Sequence, residues 1–258
     1  MKIAISGKGG VGKTTLAALL AGTLESKGRG VIALDADPDA NLAAALGIPA
    51  DEPITPLSEM RDLIAERTLS KDAYGGYFKL NPRVDDIPEK YARRIGHIRL
   101  LVLGGVAKGG AGCICPATAL LKALLVHLVL GRDEAVIMDM EAGIEHLGRA
   151  TAQSMDAMIL VVDEGPWSIQ TAHRAAKLAG DIGLKRLFAV ANRVTESTDL
   201  DGIARSLGSI PLIGQLPYDK RLAAGVLQIA NGGVQAAEGL TRCLRAAEEI
   251  LSQLESRV

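Results

Sequence analysis

Residues 7–15 read Gly7-Lys8-Gly9-Gly10-Val11-Gly12-Lys13-Thr14-Thr15, and the reading of this stretch decides both fold and chemistry. It fits the phosphate-loop pattern G-x-x-x-x-G-K-[ST]. Its four glycines remove Cβ atoms, so consecutive backbone N–H groups can turn inward around an anion. Lys13 is placed to reach the outer phosphates, the Thr14 hydroxyl to ligate Mg²⁺, and the following helix to offer its positive N-terminus. Gly9, Gly10, Val11, Gly12 and Thr15 complete the expected cradle. The flanks agree. Ile3-Ala4-Ile5 is a short buried-strand run, and residues 14–27 carry helical apolar spacing through Leu16, Leu20 and Leu24. Strand, glycine loop and helix in that order predict a bound nucleoside triphosphate.

Working outward, short apolar runs that read as buried parallel strands recur at residues 2–6, 30–34, 98–103, 135–138, 157–162, 187–192 and 210–216. Amphipathic helical stretches lie between most of them, among them 168–182 and 200–207. The alternation predicts an α/β fold, a doubly wound, mainly parallel sheet of about seven strands with ligands at the strands' carboxyl ends. No linker or repeat divides the chain, so one domain is expected over residues 1–258. Residues 50–96 interrupt the alternation, are rich in Pro, Asp and Gly, and hold one expected helix at 57–67. A long insertion beside a nucleotide site reads as a lid, a partner surface or a plain surface excursion. A last helix, 236–254, sets Leu240, Leu244, Ala247, Leu251 and Leu254 on one face for packing on the sheet.

Composition narrows the function. Of 258 residues 48% are hydrophobic, enough for a sizeable core, and the formal net charge is −1. That balance provides no basic field for nucleic acid or anionic lipid, and 3% aromatics provide few platforms for stacked bases. Three cysteines argue against a disulfide framework and for a reducing compartment. Cleavage of a leader at the N-terminus would destroy the phosphate loop. The most apolar stretch, 117–130, is too short to span a bilayer and contains Lys122 and His127. A cytoplasmic enzyme without nucleic-acid or membrane partners is the expectation.

A phosphate loop also needs an acidic residue near Mg²⁺ and a group that positions water. Asp139 ends the apolar run Ala135-Val136-Ile137-Met138, which delivers its carboxylate to the sheet's carboxyl edge. Gly143, four residues on, stands where a backbone N–H senses the γ-phosphate. Asp35, Asp37 and Asp39 follow the 30–34 run. Asp37 is the expected residue that orients or activates the attacking water. Asp35 joins the nucleotide site or caps the local structure, and Asp39 faces solvent or a partner.

Lys8, directly after the first glycine, gives the loop a second lysine. With it, the nonapeptide resembles the deviant phosphate loop of the dimeric ATPases that include septum-site and partition proteins, the arsenite-pump ATPase and the nitrogenase iron protein. The resemblance implies a homodimer in which Lys8 reaches the partner's phosphates, a stabilising cation supplied in trans. Guanine-specific relatives carry Asn-Lys-x-Asp after a strand. Here the strand ends Ala191-Asn192-Arg193-Val194-Thr195, without the Asp. By resemblance Asn192 contacts adenine, with Pro217 and Tyr218 beside the ring, which favours ATP over GTP.

Cys113-Ile114-Cys115 offers two thiolates that point the same way, and a disulfide between them would close a very small, strained ring. A closed tetrahedral site needs four sulfurs, which a two-fold dimer supplies by bringing two such loops together. Thiolates of this kind suit Ni²⁺ or Zn²⁺. Cys243 reads as buried packing. Residues 139–147 contain no cysteine, which argues against a nitrogenase-type [4Fe–4S] cluster. The C-x-C pair, Asp35-Ala36-Asp37-Pro38-Asp39, the run from Asp139 to Arg149, Leu80-Asn81-Pro82-Arg83-Val84 and Leu178-Ala179-Gly180-Asp181 together resemble carbon monoxide dehydrogenase maturation ATPases of the CooC type. That resemblance implies a nickel-insertion ATPase dimerised around a metal held by Cys113 and Cys115 of both subunits, with CO dehydrogenase as client. The sister family maturing acetyl-CoA synthase would look nearly the same. An Fe–S reductase and a partition-type ATPase are the readings from other classes. His97, His127, His146 and His173 are expected in packing or surface roles.

Overall fold

The computed structural model describes residues 1–69, 78–104, 116–130, 134–141, 151–152, 155–184, 186–223, 229–230, 233–234 and 240–258. The Cys113–Cys115 pair, Gly143 and His146 lie outside them.

Strand β1 (Lys2–Gly7) runs into the glycine loop and helix α1 (Lys13–Ser26), the expected order. β2 (Val31–Ala36) and a short α2 (Leu42–Ala45) follow. The insertion holds a 3₁₀ turn (Leu57–Glu59), α3 (Arg61–Thr68) and α4 (Ile87–Tyr91), and leads into β3 (Arg93–Ile95). Then come β4 (Ile98–Val102), α5 (Pro116–Leu130), β5 (Ala135–Met140), β6 (Ala157–Val162), α6 (Pro166–Asp181) and β7 (Leu187–Val194). The chain continues through α7 (Leu200–Leu207), β8 (Leu212–Pro217), α8 (Lys220–Ala223), the small hairpin β9 (Ile229–Ala230) and β10 (Gly233–Val234), and α9 (Thr241–Glu255).

Eight strands form one sheet in the order β3-β4-β2-β5-β1-β6-β7-β8, parallel throughout except at the β3 edge. The seven expected strands are all present. The eighth, β3, pairs antiparallel with β4 through a turn at Gly96 (φ 55°). Its Arg93 and Arg94 are exposed and carry no apolar signal, which is why a hydrophobic reading passes over it.

Side chains alternate between two packed faces. Ile3, Ile5, Ala33, Ile137 and Ile159 meet Leu16, Leu20 and Leu24 of α1 and Ala247, Leu251 and Leu254 of α9. Ala4, Ile32, Leu34, Met138 and Leu160 face Leu120, Leu124 and Leu128 of α5 and the small residues of α6. Of the expected last helix, α9 from Thr241 is described, with Leu240 as its N-cap, and 235–239 lie outside the described residues. Cys243 is buried at the α9 face, as packing predicts. Among the described residues, no helix is long and apolar enough to cross a membrane.

The insertion is built onto the sheet's α5 face, where Leu57, Leu63, Val84 and Ile87 join the core. Its expected helix is divided. Met60 (φ −77°, ψ 76°) leaves helical geometry and separates the 3₁₀ turn from α3. Arg67 on α3 binds Asp86 with two hydrogen bonds of 2.9 and 2.7 Å, and Lys90 adds a third cationic contact at 2.8 Å. Backbone bonds tie this segment to the nucleotide edge. The Ser58 amide donates to Leu103 O (3.1 Å), and the Leu103 amide donates to Asp35 O (2.8 Å).

Candidate nucleotide site

β1 lies between β5 and β6, where the strand order reverses, and a ligand crevice opens at the carboxyl ends of such strands. Two glycines there are required by contact. A Cβ on Gly7 would lie 2.5 Å from Val161 O of β6, and one on Gly12 (φ 101°) would collide with the Asn192 side-chain amide. Gly12 delivers the chain into α1, whose first turn has no side-chain cap and no acidic residue. Its leading N–H groups are therefore open to an anion.

The loop walls an open cleft of about 270 Å³. Gly9, Gly10, Gly12, Lys13, Thr14 and Thr15 line one side, with Asp37. Asn192, Pro217 and Tyr218, the expected base contacts, line the same cleft. Val11 is buried behind the loop, and Lys8 is exposed beside it. Lys13 is itself buried, at 6% exposure, so its ammonium is held in the site rather than in solvent.

Beneath the cleft sit two fully buried carboxylates, Asp35 and Asp139, opposite one another in the β2–β5 register. Asp35 accepts from the Leu42 amide (2.8 Å) and the Asp37 amide (3.2 Å), and burial still pushes its pKa up to about 6. Asp35 thus anchors the turn that presents Asp37, which in turn accepts from the Asp39 amide at 3.1 Å. Neither Asp139 oxygen has a hydrogen-bond partner of normal geometry. Burial raises Asp139 to about 7, opposed by the nearby Thr14 hydroxyl and reinforced by Asp35, while Lys13 favours its charged form. An orphaned carboxylate beside a hydroxyl is a hard oxygen donor set that fits Mg²⁺. Thr14 and Asp139 are the residues that would hold it, directly or through water.

Sequence reasoning passed over several wall residues. Asn41, Arg193, Asp219 and Leu222 also line the cleft, and Asp39, exposed as expected, lines it too. The Asn192 amide donates to Val11 O at 2.7 Å, and Arg193 donates to Gly10 O at 2.7 Å. Asp219 grips Arg221 through both oxygens, at 3.1 and 3.0 Å. An acidic residue two positions after Pro217 was the available signal for Asp219. Of the described histidines, His97 and His173 are exposed, and His127 lies partly buried on α5.

A glycine loop over an uncapped helix, a buried lysine, a threonine and an unpartnered aspartate are the working parts of a P-loop ATPase. The particular family follows from comparison. Residues 2–228 match the CobQ/CobB/MinD/ParA nucleotide binding domain, and the chain belongs to that family of ATPases. It is 41% identical to the carbon monoxide dehydrogenase accessory protein CooC of Rhodospirillum rubrum, over 100% of this chain and 97% of that one. The resemblance stated from the motifs therefore holds along the whole length. An uncharacterized ATP-binding protein of Methanocaldococcus jannaschii is 49% identical over 86% of this chain and 87% of its own. In fold the chain is similar to MinD in the MinC:MinD complex of Aquifex aeolicus (TM-score 0.67, 19% identity, 100% and 96% coverage). It is equally similar to a Borrelia burgdorferi plasmid partition protein bound to AMPPNP (TM-score 0.67, 17% identity, 100% and 98% coverage).

Proposed function

We propose that this chain is an accessory ATPase of carbon monoxide dehydrogenase that inserts nickel, working as a homodimer around a metal shared through Cys113 and Cys115. The carrying observation is the 41% identity to CooC along both full lengths, in a chain that also holds a C-x-C pair. In the proposed cycle the loop amides and Lys13 bind the phosphates of ATP. Thr14 and Asp139 would hold Mg²⁺, which would neutralise charge on the phosphates. Asp37 orients the attacking water with the oxygen that the Asp39 amide leaves uncommitted. Gly143 reports the γ-phosphate by a backbone N–H. Asn192 retains one N–H and one lone pair for the adenine edge after its contacts to Val11 and Arg193, with Pro217 and Tyr218 flanking the ring.

Lys8 supports the dimeric part of this reading. It is exposed on the loop, which leaves it free to reach a phosphate on a second copy. ATP then closes the dimer, closure assembles four thiolates, and hydrolysis loosens both interface and metal. The whole chain acts as one ATPase domain, with residues 50–96 and 105–116 facing the client and the metal. A cytoplasmic location follows from thiolates that must stay reduced.

Titration of Ni²⁺ into the protein, with and without AMPPNP, tests the shared site. One metal per two chains, lost in Cys113→Ala and in Cys115→Ala, is the expected result. One metal per chain, indifferent to both changes, refutes it. In light scattering, Lys8→Ala should bind nucleotide and stay monomeric where the parent dimerises. Nickel content of CO dehydrogenase against acetyl-CoA synthase in a deletion strain identifies the client.

A further inference from the structure

The end of β7 carries a feature that nucleotide binding as described above does not use. Ala191 pairs with Gln215 of β8, and Val194 pairs with Pro217. Three steps along β7 therefore face two along β8, so one residue is extra. Bulges of this kind re-aim side chains next to functional sites. The extra residue coincides with Arg193, whose φ of 61° lies in the left-handed region that favours glycine. An arginine held there needs a reason, and its side chain provides one. The guanidinium crosses to the phosphate loop and donates to Gly10 O at 2.7 Å, beside the Asn192 amide on Val11 O at 2.7 Å. The next residue, Val194, accepts from the Tyr218 amide at 2.9 Å. One bulge thus touches two consecutive loop carbonyls on one side and the base-side loop on the other.

In a trans peptide the C=O of one residue and the N–H of the next point in opposite directions. Holding Val11 O against Asn192 turns the Gly12 N–H away from the clamp. Holding Gly10 O against Arg193 turns the Val11 N–H away, where it donates to Lys8 O at 3.2 Å and closes the turn. A Cβ at Gly9 or Gly10 would have no heavy atom within 4 Å, so no neighbouring side chain packs against this part of the loop. Glycine has the widest choice of backbone conformation, so without its bond to Arg193 the Gly10 carbonyl could turn inward, where it would repel phosphate.

We propose that Arg193 is a positioning residue for the ATPase reaction, aimed by the β7 bulge to keep the Gly10 carbonyl out of the phosphate cradle. The proposal rests on the ATPase assignment and not on the metal cargo, so a failed nickel titration leaves it standing. Arg193→Gly removes the guanidinium while tolerating the left-handed backbone, which keeps the bulge intact. Without the guanidinium the loop also populates carbonyl-inward arrangements that cannot bind phosphate, so Mg·ADP binding, read by calorimetry, should weaken about 10-fold. The loss in ATP hydrolysis should fall mainly on KM, with kcat within about fivefold, because the loop grips ground and transition states alike. Arg193→Lys keeps a cation in reach and should restore most of the affinity. The ligand-free melting temperature should stay unchanged in both variants. Mg·ADP affinity in Arg193→Gly within about threefold of the parent overturns the proposal, because the loop then keeps its binding geometry without the guanidinium. Equal losses in the Gly and Lys variants, or a loss matched by a fall in ligand-free melting temperature, also overturn it, since either marks a structural role.

Discussion

Asp139→Asn tests whether the carboxylate proposed to bind Mg²⁺ is maintained against the stability of the ligand-free protein. Asp139 is fully buried and neither of its oxygens is hydrogen-bonded. Burial lifts its pKa from 3.8 to about 7. Between those values the native chain keeps a proton that the unfolded chain releases. Stability from this group is therefore complete below about pH 4, declines as pH rises toward 7, and stays at the lower level above that. At about 1.36 kcal/mol per pH unit, the interval amounts to about 4 kcal/mol. Asparagine has the same shape and cannot ionise, so the variant should avoid that loss. The assay is thermal unfolding of nucleotide-free protein in excess chelator, at pH 4 and pH 8. At pH 8 the variant should melt about 10 °C above the parent, and near pH 4 the two should converge. Asp35, raised by burial to about 6, shifts the parent in the same direction and is common to both proteins. With Mg·ATP the order should invert: the parent gains stability from ligand, while Asp139→Asn gains little and loses hydrolysis. A variant no more stable than the parent at pH 8 would refute the reasoning, because it would mean that the buried carboxylate is already compensated.

Gly104→Ala should destabilise the protein by about 1–3 kcal/mol in chemical denaturation, since its φ is 77° and a Cβ would lie 2.6 Å from that of Pro56; an unchanged midpoint would show that the insertion yields there. Arg67→Ala should cost about 1–2 kcal/mol by removing the two-bond grip on Asp86, which Lys90 alone cannot replace. Arg67 and then Lys90 hold the Asp86 carboxyl well below the usual carboxylate range. That contribution is present above about pH 4 and is lost as pH falls further, so the gap between parent and Arg67→Ala should narrow in acid; a gap that widens there would contradict the pairing.

What could be read in advance is what local chemistry alone specifies. A phosphate loop requires its glycines in consecutive order, so Gly7 to Thr15 declares itself. Continuous apolar runs as short as Ala157–Val162 suit strands buried on both faces, being too short for most helices. β3 was invisible because three residues with two exposed arginines pair through backbone alone. The break at Met60 was invisible for a related reason: Leu57 and Leu63 both reach the core, and helical spacing does not reveal that the backbone between them leaves the helix. Arg193 illustrates the deeper limit. Nothing in Ala191-Asn192-Arg193-Val194 distinguishes a strand end from a bulge, and a charged residue there reads as solvated surface. Its role arises from the register against β8, a relation between segments more than twenty residues apart. The resemblance alone points to Asn192 as a base contact, and in the fold its amide donates to the loop backbone at Val11 O. The proposed base wall and the phosphate loop therefore share one tripeptide, so substitutions at Asn192 made to change nucleotide preference should also move phosphate affinity, in ADP as in ATP.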